Sequence, residues 1–401
     1  MLRSSQRDAA NISTRGLVFC DFSSFYSPTA GGVRTYHDAK LAWFAAQRRH
    51  RYVLIYPSHG FSVSHPAPTV TVVTAYGLAI RAGYRLPIDV ARIRSVIRGL
   101  QPDVLETGDP WFSGPLALWF RESGDVSGPV SSFFHCDPLP TYVRPWVDRA
   151  TRSRDFRLKL SDRAYAWFYR AQQLYDLTLA SSMHVERDLR SRGIRNVVCV
   201  PFGVDPLFLQ VGRRRRTSVL RKTGPRRLLY VGRLQADKGV DVLLEAVPEL
   251  LRRPDVSLTI AGTGPYAPAV TRLAHPRVQY LGYIVSRETL SEVYAQHDVL
   301  IAPGRYETFG LTVLEGLAAG LTVVGPDAGG TGELMGQLES PCFFDSKSGA
   351  SLVLAVERAL DGDLNGRTIE AVELAERYGS WNDAVAREVD RYCEFLSRST
   401  M

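Results

Sequence analysis

Short continuous apolar runs, alternating with stretches of helical period, constrain this chain more than any other feature of its sequence. In the first half the runs are Leu17–Cys20, Tyr52–Tyr56, Val70–Thr74, Val104–Thr107, Val130–His135, Leu177–Ala180 and Val197–Val200. Several lack polar alternation, as strands buried on both faces require. Helical patterns such as Val33–Arg48 and Ile88–Leu100 separate them. This order is the signature of a parallel α/β sheet. It breaks over Pro206–Pro225, which holds an arginine run and no clear core stripe. It resumes with Arg227–Val231, Ser257–Ala261, Val278–Leu281, Val299–Ala302 and Thr322–Gly325, with helices expected at Val240–Leu251, Ser286–Gln296 and Leu311–Ala319. At 401 residues the chain is too long for one ordinary core. Two doubly wound domains are therefore expected, 1–205 and 226–378. Residues 206–225 form a basic linker between them. Residues 379–401 form a last helix, capped by Ser380 and packing towards the first domain.

Composition narrows the function classes. Hydrophobic content of 45% and charged content of 22% are ordinary for a soluble globular protein. No stretch approaches the roughly 18 apolar residues of a spanning helix. Met1–Arg15 is polar and has no apolar signal core. Cys20, Cys136, Cys199, Cys342 and Cys393 are scattered, without metal-ligand spacing, and read as free thiols in a reducing cytoplasm. The net charge of +8 is uneven. Between Gly212 and Arg227 the basic residues meet no acid, which suits a solvated loop first and an anionic membrane surface second. Nucleic acid fits poorly, because no aromatics interleave with that run. Arg144–Arg170 mixes bases with Trp146, Phe156, Trp167 and Phe168. Such a segment can lie on an anionic membrane or pack by its aromatic stripe, and both readings stay open.

Chemistry concentrates where strands end. The run ending in "LLYVGRLQADKG" places Arg233 and Lys238 beyond the carboxyl end of a strand, where open parallel sheets bind ligands. Arg offers a fork and Lys a point charge, and the following helix start adds N–H donors suited to a diphosphate. The alternative is a solvated Arg and a first-turn Lys. In "AGTGP", Gly262 and Gly264 permit a tight turn and a close backbone approach, although an ordinary strand-to-helix turn would look the same. Glu307 and Glu315 are separated by seven residues, Glu307 in a loop and Glu315 about one turn into a helix. The amides of Phe309, Gly310, Leu311 and Thr312 would cluster at that helix start. Two carboxylates suit sugar and ribose hydroxyls, since each accepts several hydrogen bonds. A helix-dipole acid plus one solvated Glu is the alternative. In the first half, Gly31-Gly32 lies between a strand and a helix, where backbone can approach donor phosphate or acceptor, and His135 ends the strand of "VSSFFHCDP".

The segment "PGRYETFGLTVLEGLAAGLTVVGPDAGG" resembles the donor-site signature of the retaining glycosyltransferase family four. Its E-x7-E motif matches Glu307 and Glu315, and its "GR…KG" element matches Arg233 and Lys238. The resemblance is close over Leu228–Gly330 and looser elsewhere. It implies a GT-B fold with an interdomain cleft and a C-terminal helix crossing back. It assigns Glu307 to the transferred sugar, Glu315 to the ribose, and Arg233 with Lys238 to the diphosphate. Gly31-Gly32 matches the family's glycine loop, and His135 its first-domain histidine. Asp137 completes an "H-x-D-x-P" pattern similar to that of lipid-directed mannosyltransferases. Gly304-Arg305 departs from the pattern, where the family has a small polar residue.

The expected reaction moves a hexose, mannose from GDP-mannose first, to a hydroxyl of a lipid or glycan acceptor with retention. The transition state would be oxocarbenium-like, as in glycoside cleavage. UDP-glucose, UDP-galactose and UDP-N-acetylglucosamine are alternative donors. Neither a metal nor another cofactor is required by the motif. The expected location is cytoplasmic, with peripheral contact at the inner membrane face as an addition, and no nucleic acid as partner. The competing readings are an epimerase or sugar-phosphate synthase of the same fold, and a non-catalytic nucleotide-sugar-binding relative.

Overall fold

The computed structural model describes residues 16–26, 31–80, 84–135, 137, 154–217 and 225–398, without the side chains of 154–158. The chain forms two compact units, Met1–Val200 with Trp381–Met401, and Pro201–Ser380. The parallel α/β reading is borne out in each.

The first unit holds β1 (Val18–Phe22), β2 (Arg51–Ser58), β3 (Ser62–Ala67), β4 (Val70–Ala79), β5 (Arg85–Pro87), β6 (Val104–Thr107), β7 (Val130–Phe134), β8 (Leu177–Ala180) and β9 (Val197–Cys199). They pair in the order β3-β4-β2-β1-β6-β7-β8-β9, with β5 on β4. The pairs β3–β4 and β4–β5 are antiparallel, and the sheet's other pairs are parallel. Sequence reading missed β3 and β5: "SVSHPA" and "RLP" carry no continuous apolar run, and β3 is largely exposed. One core packs Phe22, Val53, Ile55 and Leu105 against Ile93, Ile97 and Phe120.

The second unit holds β10 (Arg226–Val231), β11 (Val256–Ala261), β12 (Val278–Gly282), β13 (Val299–Ile301), β14 (Thr322–Pro326) and β15 (Cys342–Phe344). All pairs are parallel, in the order β12-β11-β10-β13-β14-β15. Residues 342–344 went unread as a strand because three residues are too few to show a period. Helices Val240–Leu250, Arg287–Ala295 and Leu311–Ala318 stand where the apolar spacing places them.

The linker reading of 206–225 needs correction. Pro206–Thr217 is a helix with Phe208, Leu209 and Gly212 buried. A Cβ on Gly212 would lie 2.0 Å from the Ala318 carbonyl oxygen, so only glycine lets this helix approach so closely. The arginine run is its last turn, where cations complement the helix dipole. Arg215 is no solvated residue: its guanidinium bonds the carbonyls of Ala295 (2.9 Å) and His297 (2.6 Å). Arg213 pairs with Glu376 at 2.8 Å. Residues 218–224 lie outside the described part.

So do Cys136, residues 1–15, and Arg144, Trp146, Arg149 and Arg152 of the basic aromatic segment. The rest of that segment forms helix Arg154–Gln172, in which Phe168 is buried and Trp167 is exposed. Among the described residues Cys20, Cys199, Cys342 and Cys393 form no disulfide. Among the described residues no helix is long and apolar enough to cross a membrane.

Candidate active site

In the second sheet β10 and β13 are adjacent, and the strand order departs from them in opposite directions. A ligand site is expected beyond the carboxyl ends of strands at such a switch point. The loop after β10 carries Arg233 and Lys238, and the loop after β13 carries Glu307. The two loops meet: Lys238 Nζ donates to Glu307 Oε1 at 2.6 Å, with the side chains 24% and 27% exposed. Lys238 does not open the helix directly. It ends a 3-10 turn, Ala236–Lys238, and Gly239 at φ +68° leads into the helix from Val240. A Cβ there would lie 2.4 Å from the Pro303 carbonyl oxygen, so glycine sets the approach of the two loops. The anion beside this lysine in the structure is the Glu307 carboxylate.

Arg233 is 45% exposed and reaches Asp237 and Gln235, each at 3.1 Å. Its loop rests on the loop after β11. Gly262 and Gly264 have φ of +138° and +155°, and Cβ atoms there would lie 1.8 Å from the Gly232 oxygen and 2.5 Å from the Leu234 oxygen. These glycines are therefore fixed by packing of backbone on backbone. Glu307 is held from behind: its carbonyl accepts the Gly330 N–H at 2.6 Å. Gly329, at φ +59°, leaves room for that carbonyl.

Helix Leu311–Ala318 starts after Gly310, whose φ is +91°. Its N-cap is a glycine and supplies no side-chain cap, and the amides of Gly310, Leu311 and Thr312 have no earlier helical carbonyl to bond. Phe309 is a core residue, packed edge-on against Phe202 and Tyr378. Glu315 differs from Glu307. It is buried, and its carboxylate accepts from Arg287 at 2.8 Å and from the Tyr294 hydroxyl at 3.2 Å. Arg287 also approaches Asp205 at 3.4 Å. The structure thus joins Lys238 with Glu307 and gives Glu315 partners that spacing did not reveal. Arg287 and Tyr294 lie i, i+7 on one helix. Arg287 is the first residue after the Ser286 cap and carries no mark in sequence beyond its charge.

The first sheet has its own switch point, between β1 and β6. Gly31 precedes helix Gly32–Ala46 at φ −76°, and a Cβ there would meet no described atom within 4 Å. Among the described residues no packing contact demands glycine at this position. His135 follows β7. Its ring stacks on Phe133 at 4.6 Å and meets the Tyr36 edge at 4.7 Å. A Cβ on Gly108 would lie 2.6 Å from the ring. Burial, with the charges of His37 and Lys40, pushes the imidazole down to about 3, so it is neutral at physiological pH. Asp137 is described, although its neighbours Cys136 and Pro138 are not.

Behind His135 lies a cluster that sequence reading missed. Lys40 Nζ reaches Asp21 at 2.8 Å, Glu388 at 2.7 Å and Glu106 at 3.3 Å, all buried. The Tyr36 hydroxyl lies 2.6 Å from Glu106 and 2.9 Å from Glu388. The one hydroxyl proton is shared between both carboxylates, and Lys40 Nζ donates to each of them as well. Burial, with the Glu106 and Asp21 charges opposing the pull of Lys40, pushes Glu388 well above the usual carboxylate range. Glu388 therefore holds a proton more tightly than a free carboxylate does. Asp21 is held down to about 2: burial raises it, and Lys40 and His37 overcome that. A signal did exist. Glu388 sits on the buried stripe Trp381, Ala384, Val385, Val389, Tyr392 of helix Trp381–Arg398.

Two family models match, described as "Glycosyltransferase Family 4" over residues 30–207 and "Glycosyl transferases group 1" over 225–362. A GDP-mannose-dependent alpha-(1-6)-phosphatidylinositol dimannoside mannosyltransferase of Mycobacterium tuberculosis H37Ra is 32% identical over 311 residues, 75% of this chain and 77% of that protein. The chain belongs to the group 1 glycosyltransferases. This glycosyltransferase is also 27% identical to a GDP-mannose-dependent alpha-mannosyltransferase of Corynebacterium glutamicum, over 85% of this chain and 77% of that one. A glycogen synthase of M. tuberculosis is 30% identical over 76% of this chain and 69% of its own length. Among solved structures, sucrose-phosphate synthase from Thermosynechococcus elongatus aligns with TM-score 0.72 at 19% identity, covering 95% of this chain and all of that one (100%). Anabaena HepE in complex with UDP-glucose aligns with TM-score 0.65 at 17% identity, covering 94% and 100%. These likenesses establish the GT-B fold.

Proposed function

We propose that this protein is a retaining hexosyltransferase that moves mannose from GDP-mannose to a hydroxyl of a lipid-linked or glycan acceptor. The observation that carries the reading is the part-exposed Lys238–Glu307 pair at the switch point of the second sheet. The named donors of the mycobacterial and corynebacterial relatives favour GDP-mannose over the UDP-sugars. Arg233 and Lys238 receive the diphosphate, and Glu307, once Lys238 turns to phosphate, accepts from hydroxyls of the sugar. The amides of Gly310, Leu311 and Thr312 offer donors at a helix N-terminus. Glu315 accepts from the ribose diol with the lone pairs that Arg287 and Tyr294 leave. Neutral His135 hydrogen-bonds the transferred sugar, and the Gly31-Gly32 backbone leaves space for phosphate or acceptor.

The bond between the anomeric carbon and the phosphate oxygen breaks as the acceptor oxygen bonds that carbon on the same face. The acceptor proton passes to the departing phosphate. Arg233, Lys238 and the helix amides stabilise the charge that develops there, which is the dominant catalytic term at many sites. No residue is assigned as a covalent nucleophile, and no metal enters. The protein works in the cytoplasm, with peripheral contact at an anionic membrane where the acceptor is lipid-linked.

Thermal shift with GDP and UDP tests the donor, since stabilisation follows ligand concentration over Kd. GDP stabilises more; a larger shift with UDP overturns the mannose assignment. Labelled sugar that never leaves its nucleotide for an acceptor overturns the transferase assignment.

A further inference from the structure

His135 is held by more than its strand. It follows β7 and falls on the same side as Phe133, two residues before it, so the two rings stack at 4.6 Å with 8° between their planes. Tyr36, from helix Gly32–Ala46, meets both rings edge-on, at 4.9 Å from Phe133 and 4.7 Å from His135. Gly108, just after β6, brings bare backbone against the imidazole: a Cβ there would lie 2.6 Å from the ring. Among these contacts Tyr36 is the one that comes from outside the sheet.

Tyr36 is in turn pinned through its hydroxyl. That group donates to Glu106 on β6 at 2.6 Å and to Glu388 on helix Trp381–Arg398 at 2.9 Å. Lys40 Nζ lies 3.1 Å from the same hydroxyl. The Tyr392 hydroxyl donates to the other Glu106 oxygen at 2.6 Å and meets Ser131 Oγ on β7 at 2.7 Å. The network thus returns to the strand that delivers His135. Packing alone asks for none of this. A phenylalanine edge would cover the two stacked rings as a tyrosine edge does, and buried ionic clusters are often no more stable than apolar replacements of similar volume. What a fully bonded buried network supplies is one fixed geometry.

We propose that Tyr36 and Glu388 are positioning residues for His135. The C-terminal helix holds the Tyr36 hydroxyl through Glu388, and the Tyr36 edge holds the imidazole where it meets the transferred sugar. The second step rests on the role given to His135 in the proposed function. A neutral imidazole acts on a hydroxyl by the direction of its hydrogen bond, so its placement governs the rate; a misplacement of about 1 Å can cost about 10²-fold. Helix Trp381–Arg398 thereby enters the chemistry without touching the substrate.

A double-mutant cycle on kcat for GDP release from GDP-mannose tests this, with the full chain throughout. Tyr36→Phe keeps the ring and deletes the hydroxyl. It lowers kcat about 10–10²-fold in the wild-type background and has no further effect beside His135→Gln. A loss of stability alone would lower kcat by the same factor in both backgrounds. Equal losses in the two, or an unchanged kcat in Tyr36→Phe, overturns the proposal. Glu388→Leu lowers kcat as Tyr36→Phe does, and Glu388→Gln, whose amide still holds the hydroxyl, restores it. A Gln variant as slow as the Leu variant overturns the part given to Glu388. NMR of the chain with nitrogen-15-labelled histidine reads the imidazole without turnover. The His135 signals, identified by their loss in His135→Gln, move in Glu388→Leu and return in Glu388→Gln; signals unmoved in Glu388→Leu overturn the proposal. A chain that turns over no GDP-mannose while these signals move fails the transferase reading and not the positioning, so the two failures are separately visible.

Discussion

Each unit joins a lysine to glutamate near a switch point, and the two arrangements do opposite things. Lys40 meets Asp21, Glu106 and Glu388 where all are 2–3% exposed. Lys238 meets Glu307 where both are about a quarter exposed, at 24% and 27%. The buried group is desolvated and hydrogen-bonded from several sides, so removing one member leaves uncompensated charge. The part-exposed pair contributes little to stability and can exchange partners. The same side-chain types thus form a fixed support in one unit and, in the proposed function, the groups that rearrange onto a ligand in the other.

The largest effect expected is on folding. Lys40→Met strands buried carboxylates and costs about 3–5 kcal/mol in urea unfolding. Lys238→Met costs under about 1 kcal/mol in the same measurement. A Lys238→Met loss as large as that of Lys40→Met would erase the contrast. Next is the rate: Lys238→Met lowers kcat about 10²–10³-fold, the range for removing one preorganised contact to developing charge. Unchanged kcat would place the charge stabilisation elsewhere.

A smaller effect concerns pH. Glu388 has a folded pKa above its unfolded value, so its contribution is fully present below the unfolded value, near 4.5, and is lost as pH rises through the folded one. Glu388→Gln keeps the neutral geometry, with its oxygen towards Lys40 and its amide towards Tyr36. It should therefore flatten the fall of Tm with pH above about 5 and leave Tm at neutral pH equal or higher. A steeper fall would mean that Glu388 is ionised. The smallest effect is at His135. Neutral above about pH 4, it adds no acid limb to the kcat/KM profile between pH 5 and 8, so His135→Gln lowers the rate and keeps the profile's shape. A limb that disappears in the variant would show that the imidazole titrates there.

Strands buried on both faces were readable because their apolar runs are continuous, as in Val104–Thr107 and Leu177–Ala180. The antiparallel additions β3 and β5 were not, since β3 is exposed along nearly its whole length and β5 is only three residues long. The helix Pro206–Thr217 was hidden because its core side is made by Phe208, Leu209 and a glycine, while four arginines dominate its last turns. In the site, Glu307 and Lys238 were legible from their places after strands, and their contact was not, because 69 residues separate them. The Glu315 partners and the Lys40 cluster depend on tertiary packing. Only Glu388, a carboxylate on an apolar stripe, announced itself in sequence.

The most direct test is the turnover of Glu307→Gln on a nucleotide-sugar donor, measured beside its urea unfolding and its thermal shift with GDP. Stability within about 1 kcal/mol of wild type and a retained nucleotide shift, together with a turnover collapsed by about 10²-fold or more, is the outcome expected of a part-exposed carboxylate that acts on the sugar. Turnover at the wild-type rate would contradict it, and with it the assignment of the Lys238–Glu307 pair as the working centre of the second unit.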